Sequence, residues 1–214
     1  MLKSIRKQFL ASYNKKQSFD FIMRKQNFII SYFLVEIMAN LWHDVDRKKV
    51  DEFNVIIEIP KGSRVKYELD KETGLIMFDR VLYSPMHYPC DYGFVPQTLW
   101  EDGDPLDVLV MTREPLVPGC LIKCRAIGVL DMIDGGEGDA KVLAVPVKDP
   151  RFDTFLDIAD VEPHILKEIK HFFTVYKDLQ NKKVEVGEWR NLASAKADIK
   201  KSFELYDAEY KNKK

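Results

Sequence analysis

The run Asp102-Gly103-Asp104-Pro105-Leu106-Asp107 constrains this chain more than any other stretch. Three carboxylates fall within six residues, directly ahead of the apolar segment Val108-Leu109-Val110. At 4 Å and an effective dielectric near 20, like charges repel by about 4 kcal/mol per pair. Such a cluster is stable in water or around a cation. Gly103 and Pro105 favour a tight turn and Leu106 onward reads as a strand, so the acids are held together. An acidic surface loop accounts for Asp102 and Asp104, because Asp, Gly and Pro are ordinary turn formers. It does not account for Asp107, which lies inside the apolar run where an unpaired carboxylate is costly. Hard oxygen donors with no His or Cys beside them point to Mg²⁺, Mn²⁺ or Ca²⁺ rather than zinc. A calcium-binding EF-hand loop fails on spacing: counted from Asp102, its positions 9 and 12 would be Val110 and Arg113.

The 214 residues suit one domain, or one domain with an appendage, and suffice for a substantial core. Charge is unevenly placed. Residues 1–37 hold seven of the 33 basic residues and two of the 34 acidic ones, leaving 26 against 32 and a net of −6 beyond them. An acidic body disfavours nucleic acid, which wants a positive face. Three cysteines, Cys90, Cys120 and Cys124, close no disulfide framework and show no CxxC spacing, so reduced thiols in a cytosol-like compartment are expected. The uncharged stretch Gln26 to Val35 is far short of the roughly 20 residues a membrane span needs. A basic, acid-poor leader containing serines resembles a transit peptide, yet its apolar block is not amphipathic and no cleavage pattern follows. The expectation is therefore a dispensable or disordered extension over 1–37, a functional domain over 38–214, and a cytoplasmic protein. The alternative is an organelle, if the leader is a targeting segment.

From Phe53 the patterning sharpens. Strands are expected over Phe53 to Ile59, Val65 to Leu69, Leu75 to Val81, Leu106 to Met111, Cys120 to Met132 and Lys141 to Val147. Pro85 to Pro96 reads as irregular, and Gly135-Gly136-Glu137-Gly138 as a loop. Helical periodicity comes only late, over Pro163 to Leu179 and Ala193 to Tyr210. Short strands followed by helices predict an α+β chain, mainly β: a β-barrel with two C-terminal helices packed on it.

Acids in or beside these strands are Glu58, Glu68, Asp102, Asp104, Asp107, Asp134 and Asp139; bases and phenols near them are Lys66, Arg80, Tyr88, Tyr92, Lys141, Tyr176 and Lys177. Lys66 and Glu68 share a strand face by the two-residue period, and Asp139 and Lys141 repeat the arrangement. Each alone reads as a surface ion pair. Together, carboxylates for cations and bases for an anion make a metal-plus-phosphate site.

These segments resemble family I soluble inorganic pyrophosphatases. The resemblance rests on Ile57-Glu58-Ile59-Pro60, Lys66-Tyr67-Glu68, Asp79-Arg80, Tyr88-Pro89-Cys90-Asp91-Tyr92-Gly93, the Asp102 to Asp107 run, Asp134 to Lys141, and His171-Phe172-Phe173 with Tyr176-Lys177-Asp178-Leu179. The short body from Met38 resembles the bacterial type. The resemblance implies a five-stranded barrel of oligonucleotide-binding (OB) type and Mg²⁺-dependent hydrolysis of inorganic pyrophosphate to two orthophosphates, without a covalent intermediate. It implies that Asp102, Asp107 and Asp139 bind the tightest of several Mg²⁺ ions and that Asp107 also reaches a second. A water shared by the two ions would be acidified, and Asp104 would accept its proton or orient it. Asp134 and Asp139 would hold a Mg²⁺ arriving with substrate, and Glu58 and Glu68 would act on the metals through waters. Lys66 and Tyr92 would grip the attacked phosphoryl group, Arg80, Tyr176 and Lys177 the leaving phosphate, while Lys141 adds charge and Tyr88 supports the pocket. Mn²⁺ or Zn²⁺ would substitute and Ca²⁺ inhibit. A homohexamer is implied, with His164, His171 and the helical surfaces available for contacts, and neither nucleic acid nor membrane as partner. The rivals are an oligonucleotide-binding barrel, disfavoured by the missing basic stripe, and an inactive homologue, disfavoured because every expected position is filled.

Overall fold

Every residue of the strand Phe53–Ile59 (β1) is buried, including the polar Asn54 and Glu58, because its neighbours cover it on both faces. It is the seam of the fold. In the computed structural model, which describes residues 40–211, β1 pairs antiparallel with Asp91–Phe94 (β4) on one side and with Leu121–Asp134 (β6) on the other. β4 pairs antiparallel with Asp107–Val110 (β5), and β5 runs parallel to Lys141–Pro146 (β8). β8 returns antiparallel to β6, and the ring of five strands closes. Closure leaves no open edge in the ring, which is how small all-β architectures avoid unpaired backbone. The expected leader over 1–37, and its boundary at residue 38, lie outside the described residues.

Alternate residues feed two cores. Val108, Val110, Val142 and Ala144 join the cluster containing Ala195, Ile199 and Phe203, from the helix Leu192–Tyr206. Leu109, Leu143 and Val145 join the cluster containing Ile169, Phe172 and Phe173, from the helix Pro163–Val175. We label Pro163–Val175 α1 and Leu192–Tyr206 α2. Pro163 starts α1 at a position where its missing N–H is harmless. Asn191 caps α2, its side-chain oxygen accepting from Ser194 N at 3.1 Å. Both helices stop short of the sequence expectation. α1 ends at Val175 and a 3₁₀ turn follows over Asp178–Gln180, while α2 passes into a π turn over Asp207–Lys211.

Three strands escape the sequence reading. β4, within the segment expected to be irregular, is only Asp-Tyr-Gly-Phe and offers no alternation to read. Asp91 anchors its start, accepting from Lys61 N at 2.9 Å, Leu116 N at 3.0 Å and the Thr112 hydroxyl. Val184–Arg190 (β9) does alternate, but it is interrupted by Gly187, where a Cβ would lie 2.9 Å from Asp131 Cβ across the pairing with β6. The glycine-rich segment is likewise not a loose loop. Gly135 and Gly136, at φ +62° and +94°, make a two-residue turn that returns Glu137–Gly138 (β7) against β6, with Asp134 opposite Glu137. Val65–Leu69 (β2) and Ile76–Val81 (β3) form a separate antiparallel hairpin beside the ring.

Gly93 tests the seam. A Cβ there would stand 1.9 Å from Ile56 O, so β1 and β4 can approach only over a glycine. We expect Gly93→Ala to destabilise the protein by about 3 kcal/mol or more, beyond ordinary overpacking, read as a fall in the urea midpoint at unchanged m-value.

Candidate active site

The chain around Asp102 is held before any ligand arrives. The buried Thr98 hydroxyl donates to Val95 O at 2.5 Å and accepts from Leu106 N at 2.9 Å. Trp100 N donates to Asp104 O at 2.7 Å, Gly103 N to Trp100 O at 3.1 Å, and Asp104 N to Asp102 Oδ1 at 3.0 Å. Gly103 supplies the left-handed residue at φ +78°. A tight turn therefore carries a half-buried Asp102 and an exposed Asp104, and Asp107 follows as the first residue of β5.

The parallel pairing of β5 with β8 sets Asp107 directly beside Lys141. The Lys141 ammonium, 2% exposed, ion-pairs with both Asp107 and Asp139. From α1, Tyr176 caps the helix end and Lys177 follows, reaching Asp134 on β6. From the hairpin, Lys66 pairs with Glu68 and lies 3.4 Å from Asp79. Glu58, buried in β1, accepts from Leu69 N at 2.7 Å. Tyr92, buried on β4 opposite Leu109 of β5, sits edge-on to Tyr88, ring centroids 5.5 Å apart.

These groups share one cavity of about 490 Å³. All the residues singled out from the sequence line it except Arg80. That residue stands opposite Lys66 in the hairpin, paired to Asp79, and its buried Nε has no partner. Two lining residues carried no sequence signal of their own. Lys71 looks like an ordinary turn lysine and Glu137 like a loop acid, until the fold brings Lys71 to Asp104 and Glu137 to the wall. His164 and His171 are exposed on α1, outside this cavity.

The charges do not balance. Eight carboxylates, of Glu58, Glu68, Asp102, Asp104, Asp107, Asp134, Glu137 and Asp139, face four lysines, 66, 71, 141 and 177. Lys141 carries one charge and meets two carboxylates. Burial alone would raise Asp139, but Lys141 outweighs it and holds Asp139 below the usual range. Asp107, more deeply buried, is pushed up to about 7 despite the same lysine. Burial and the nearby Asp107 push Glu58 up to about 8, and burial pushes Asp102 up to about 6. Burial raises the phenols of Tyr88, Tyr92 and Tyr176 well above their ordinary value, so they remain O–H donors at neutral pH. Among the described residues no three His, Cys, Asp or Glu groups converge into a preformed cage; Lys71, Lys141 and Lys177 stand among the carboxylates instead. The oxygen-only donors and their excess negative charge fit hard divalent cations.

The chain and its fold have known relatives. The family model described as inorganic pyrophosphatase matches residues 55–207. Soluble inorganic pyrophosphatase 3 of Arabidopsis thaliana is 52% identical over 176 residues, covering 81% of each chain. The inorganic pyrophosphatase of Geobacillus stearothermophilus is 55% identical over 150 residues, covering 70% of this chain and 89% of that one. The crystal structure of inorganic pyrophosphatase from Thermus thermophilus superposes with a TM-score of 0.76 at 43% identity, covering 79% of this chain and 99% of that one.

Raised carboxyl groups make stability depend on pH. Over the window from the ordinary values of 3.8 and 4.5 up to the folded values near 6 to 8, the folded state binds more protons than the unfolded one. Stability is therefore full at the acid end of that window and is lost as pH rises through it. We expect the cation-free protein to melt lower at about pH 8.5 than at about pH 6. Glu58→Gln should flatten the slope, and added Mg²⁺ should reverse it by occupying the ionised carboxylates. Thermal melts across pH with and without chelator check all three.

Proposed function

Because the chain belongs to the inorganic pyrophosphatase family and is a diphosphatase that hydrolyses pyrophosphate to two orthophosphates, we propose that it does so with Mg²⁺ in the cavity bounded by the Asp102–Asp107 turn, β8, α1 and the β2–β3 hairpin. The charge excess carries this reading. A cavity with eight carboxylates and four ammoniums repels a polyanion unless divalent cations neutralise it. Asp102, Asp107 and Asp139 would hold the tightest cation, with Asp107 also reaching a second; Asp134 with Asp139 would hold a further one, and Glu58 and Glu68 the waters around them. Bound there, such cations lower the pKa of a coordinated water and offset charge on the phosphate oxygens.

The chain's own residues do the rest. Asp104, half exposed at the cavity mouth, accepts the proton of the attacking water. The water oxygen bonds to one phosphorus, the bridging P–O bond breaks, and the second phosphate leaves without any covalent link to the enzyme. Lys66 and the Tyr92 hydroxyl donate to the attacked phosphoryl group; Tyr176 and Lys177 donate to the leaving one, joined by Arg80 once its guanidinium exchanges Asp79 for a phosphate oxygen. Lys141 and Lys177, paired to carboxylates here, exchange a carboxylate for a phosphate oxygen when substrate binds. Tyr88 packs against Tyr92 and Phe172 and keeps the phenols in place. Positioning and charge neutralisation are what phosphoryl transfer asks of a site.

Finer assignments follow the same reading. Mn²⁺ or Zn²⁺ substitute for Mg²⁺, and Ca²⁺, larger and less strict in geometry, inhibits. We assign the body from residue 38 onward to the bacterial type, place it in a homohexamer with His164, His171 and the helical surfaces available for contacts, and locate it in the cytoplasm. Residues 1–37 are then a dispensable extension, or a targeting segment if the protein works in an organelle. No helix among the described residues is long and apolar enough to cross a membrane, and the acidic cavity disfavours single-stranded nucleic acid as a ligand.

Phosphate release should require Mg²⁺ and cease in excess EDTA; activity surviving thorough chelation overturns the cation proposal. Asp104→Asn should slow turnover by about 10²–10⁴ with little change in the Mg²⁺ requirement, whereas Asp107→Asn should raise that requirement. Identical Mg²⁺ titrations for the two variants would contradict the division of roles.

A chain started at Met38 should equal the full chain in specific activity, melting temperature and sedimentation. A smaller, less stable assembly would instead assign the leader to an interface.

A further inference from the structure

The hairpin tip between β2 and β3 is fixed from several sides. Gly74 N donates to Asp70 O at 2.7 Å and Asp70 N to Leu75 O at 2.8 Å, closing the turn on itself. Asp70 Oδ2 also accepts from the Thr73 hydroxyl at 2.6 Å. Leu41 N donates to Gly74 O at 3.2 Å, and Gly74, at φ +72°, lies so close to Asn40 that a Cβ would meet it at 2.6 Å. Lys71 projects from this tip. Its ammonium lies 6.0 Å from the ring centroid of Trp42, whose indole N–H donates to Thr98 O at 2.7 Å. The same ammonium donates to Gly103 O at 3.1 Å and ion-pairs with Asp104.

We infer that Lys71 is a positioning residue for the reaction, holding the Asp104 carboxylate and the Gly103 peptide in register with the cavity. The inference rests on the reading of Asp104 as proton acceptor. Asp104 and Gly103 sit on an exposed turn, and the Asp104 side chain is open to solvent over half its surface. Steric packing therefore does not aim the carboxylate. Lys71 does, by tying the turn to a hairpin that is itself braced on residues 40–42. Both partners of the ion pair are 51% exposed, so the pair adds little to global stability. Its geometric effect is another matter, because a displacement of about 1 Å at a reacting group costs up to about 10²-fold in rate. Turnover and stability should therefore separate.

The test is a double-variant cycle in the full chain with saturating Mg²⁺. Lys71→Met, which keeps length and loses charge, should lower kcat about tenfold, leave KM within about twofold and leave the melting temperature within about 2 °C. Lys71→Arg, which keeps the charge and the donors, should recover kcat to within about threefold. In an Asp104→Asn background, Lys71→Met should slow turnover by less than about twofold further, because its target is already gone. Unchanged kcat in Lys71→Met, a rise in KM instead, a parallel loss of melting temperature, an Arg variant as slow as the Met variant, or a full multiplicative loss in the double variant would each overturn the inference. If Asp104→Asn alone keeps parental turnover, the proton-acceptor reading fails by itself, whatever Lys71 does.

Discussion

One pairing organises the site: Asp107 beside Lys141, across the parallel junction of β5 and β8. Asp107 ends the acidic turn, and Lys141 lies two residues after Asp139, so this junction joins two motifs far apart in the chain. It is also the parallel pairing in an otherwise antiparallel ring. A parallel neighbour needs a crossover, here made by β6 and the short β6–β7 hairpin that delivers Asp134 and Asp139. Closing the ring and assembling the cavity are thus one event.

The electrostatics follow from that junction. A buried ammonium between two carboxylates is tolerable because each partner offsets the other's desolvation. A single lysine cannot neutralise both, and the surplus shows as carboxyl groups raised toward neutrality at Asp107, Glu58 and Asp102. The protein keeps stability in reserve that cations recover. In the proposed reaction the same arrangement would serve a polyanionic substrate, because lysines engaged with carboxylates are free to exchange partners once the carboxylates are neutralised.

Around this centre the scaffold is rigid where chemistry needs it. Thr98, Asp91 and Gly103 use side-chain and backbone hydrogen bonds to fix loops that carry functional groups. The end of α1 is cut at Val175, which turns Tyr176 inward and lets Lys177 reach Asp134. Even the contact from the hairpin runs through a turn locked by its own hydrogen bonds. Binding groups therefore come from strand ends, a helix end and tight turns rather than from long loops.

The acids of the Asp102 to Asp107 turn, the alternating Lys66 and Glu68, and Asp139 with Lys141 were legible in the sequence, because each pattern is local: a turn, or a two-residue period on one strand. So were β1, β2, β8 and both helices, from apolar runs and their period. β4 and β9 were not, since one is too short to alternate and the other is broken by a glycine that only a close neighbour explains. Arg80 was named with the site yet stands outside the cavity wall, because the irregularity in the β2–β3 register leaves Asp79 unmatched beside it and its guanidinium pairs with that carboxylate. Lys71 and Glu137 were overlooked for the opposite reason: each is an unremarkable turn residue until a distant segment meets it. The sequence by itself determined which acids, lysines and phenols the chain can offer a cavity, for those are covalent facts of the chain. Which carboxylate is buried, which lysine it shares and which turn aims Asp104 were decided by tertiary structure, because burial and charge pairing are properties of neighbours far apart in the chain.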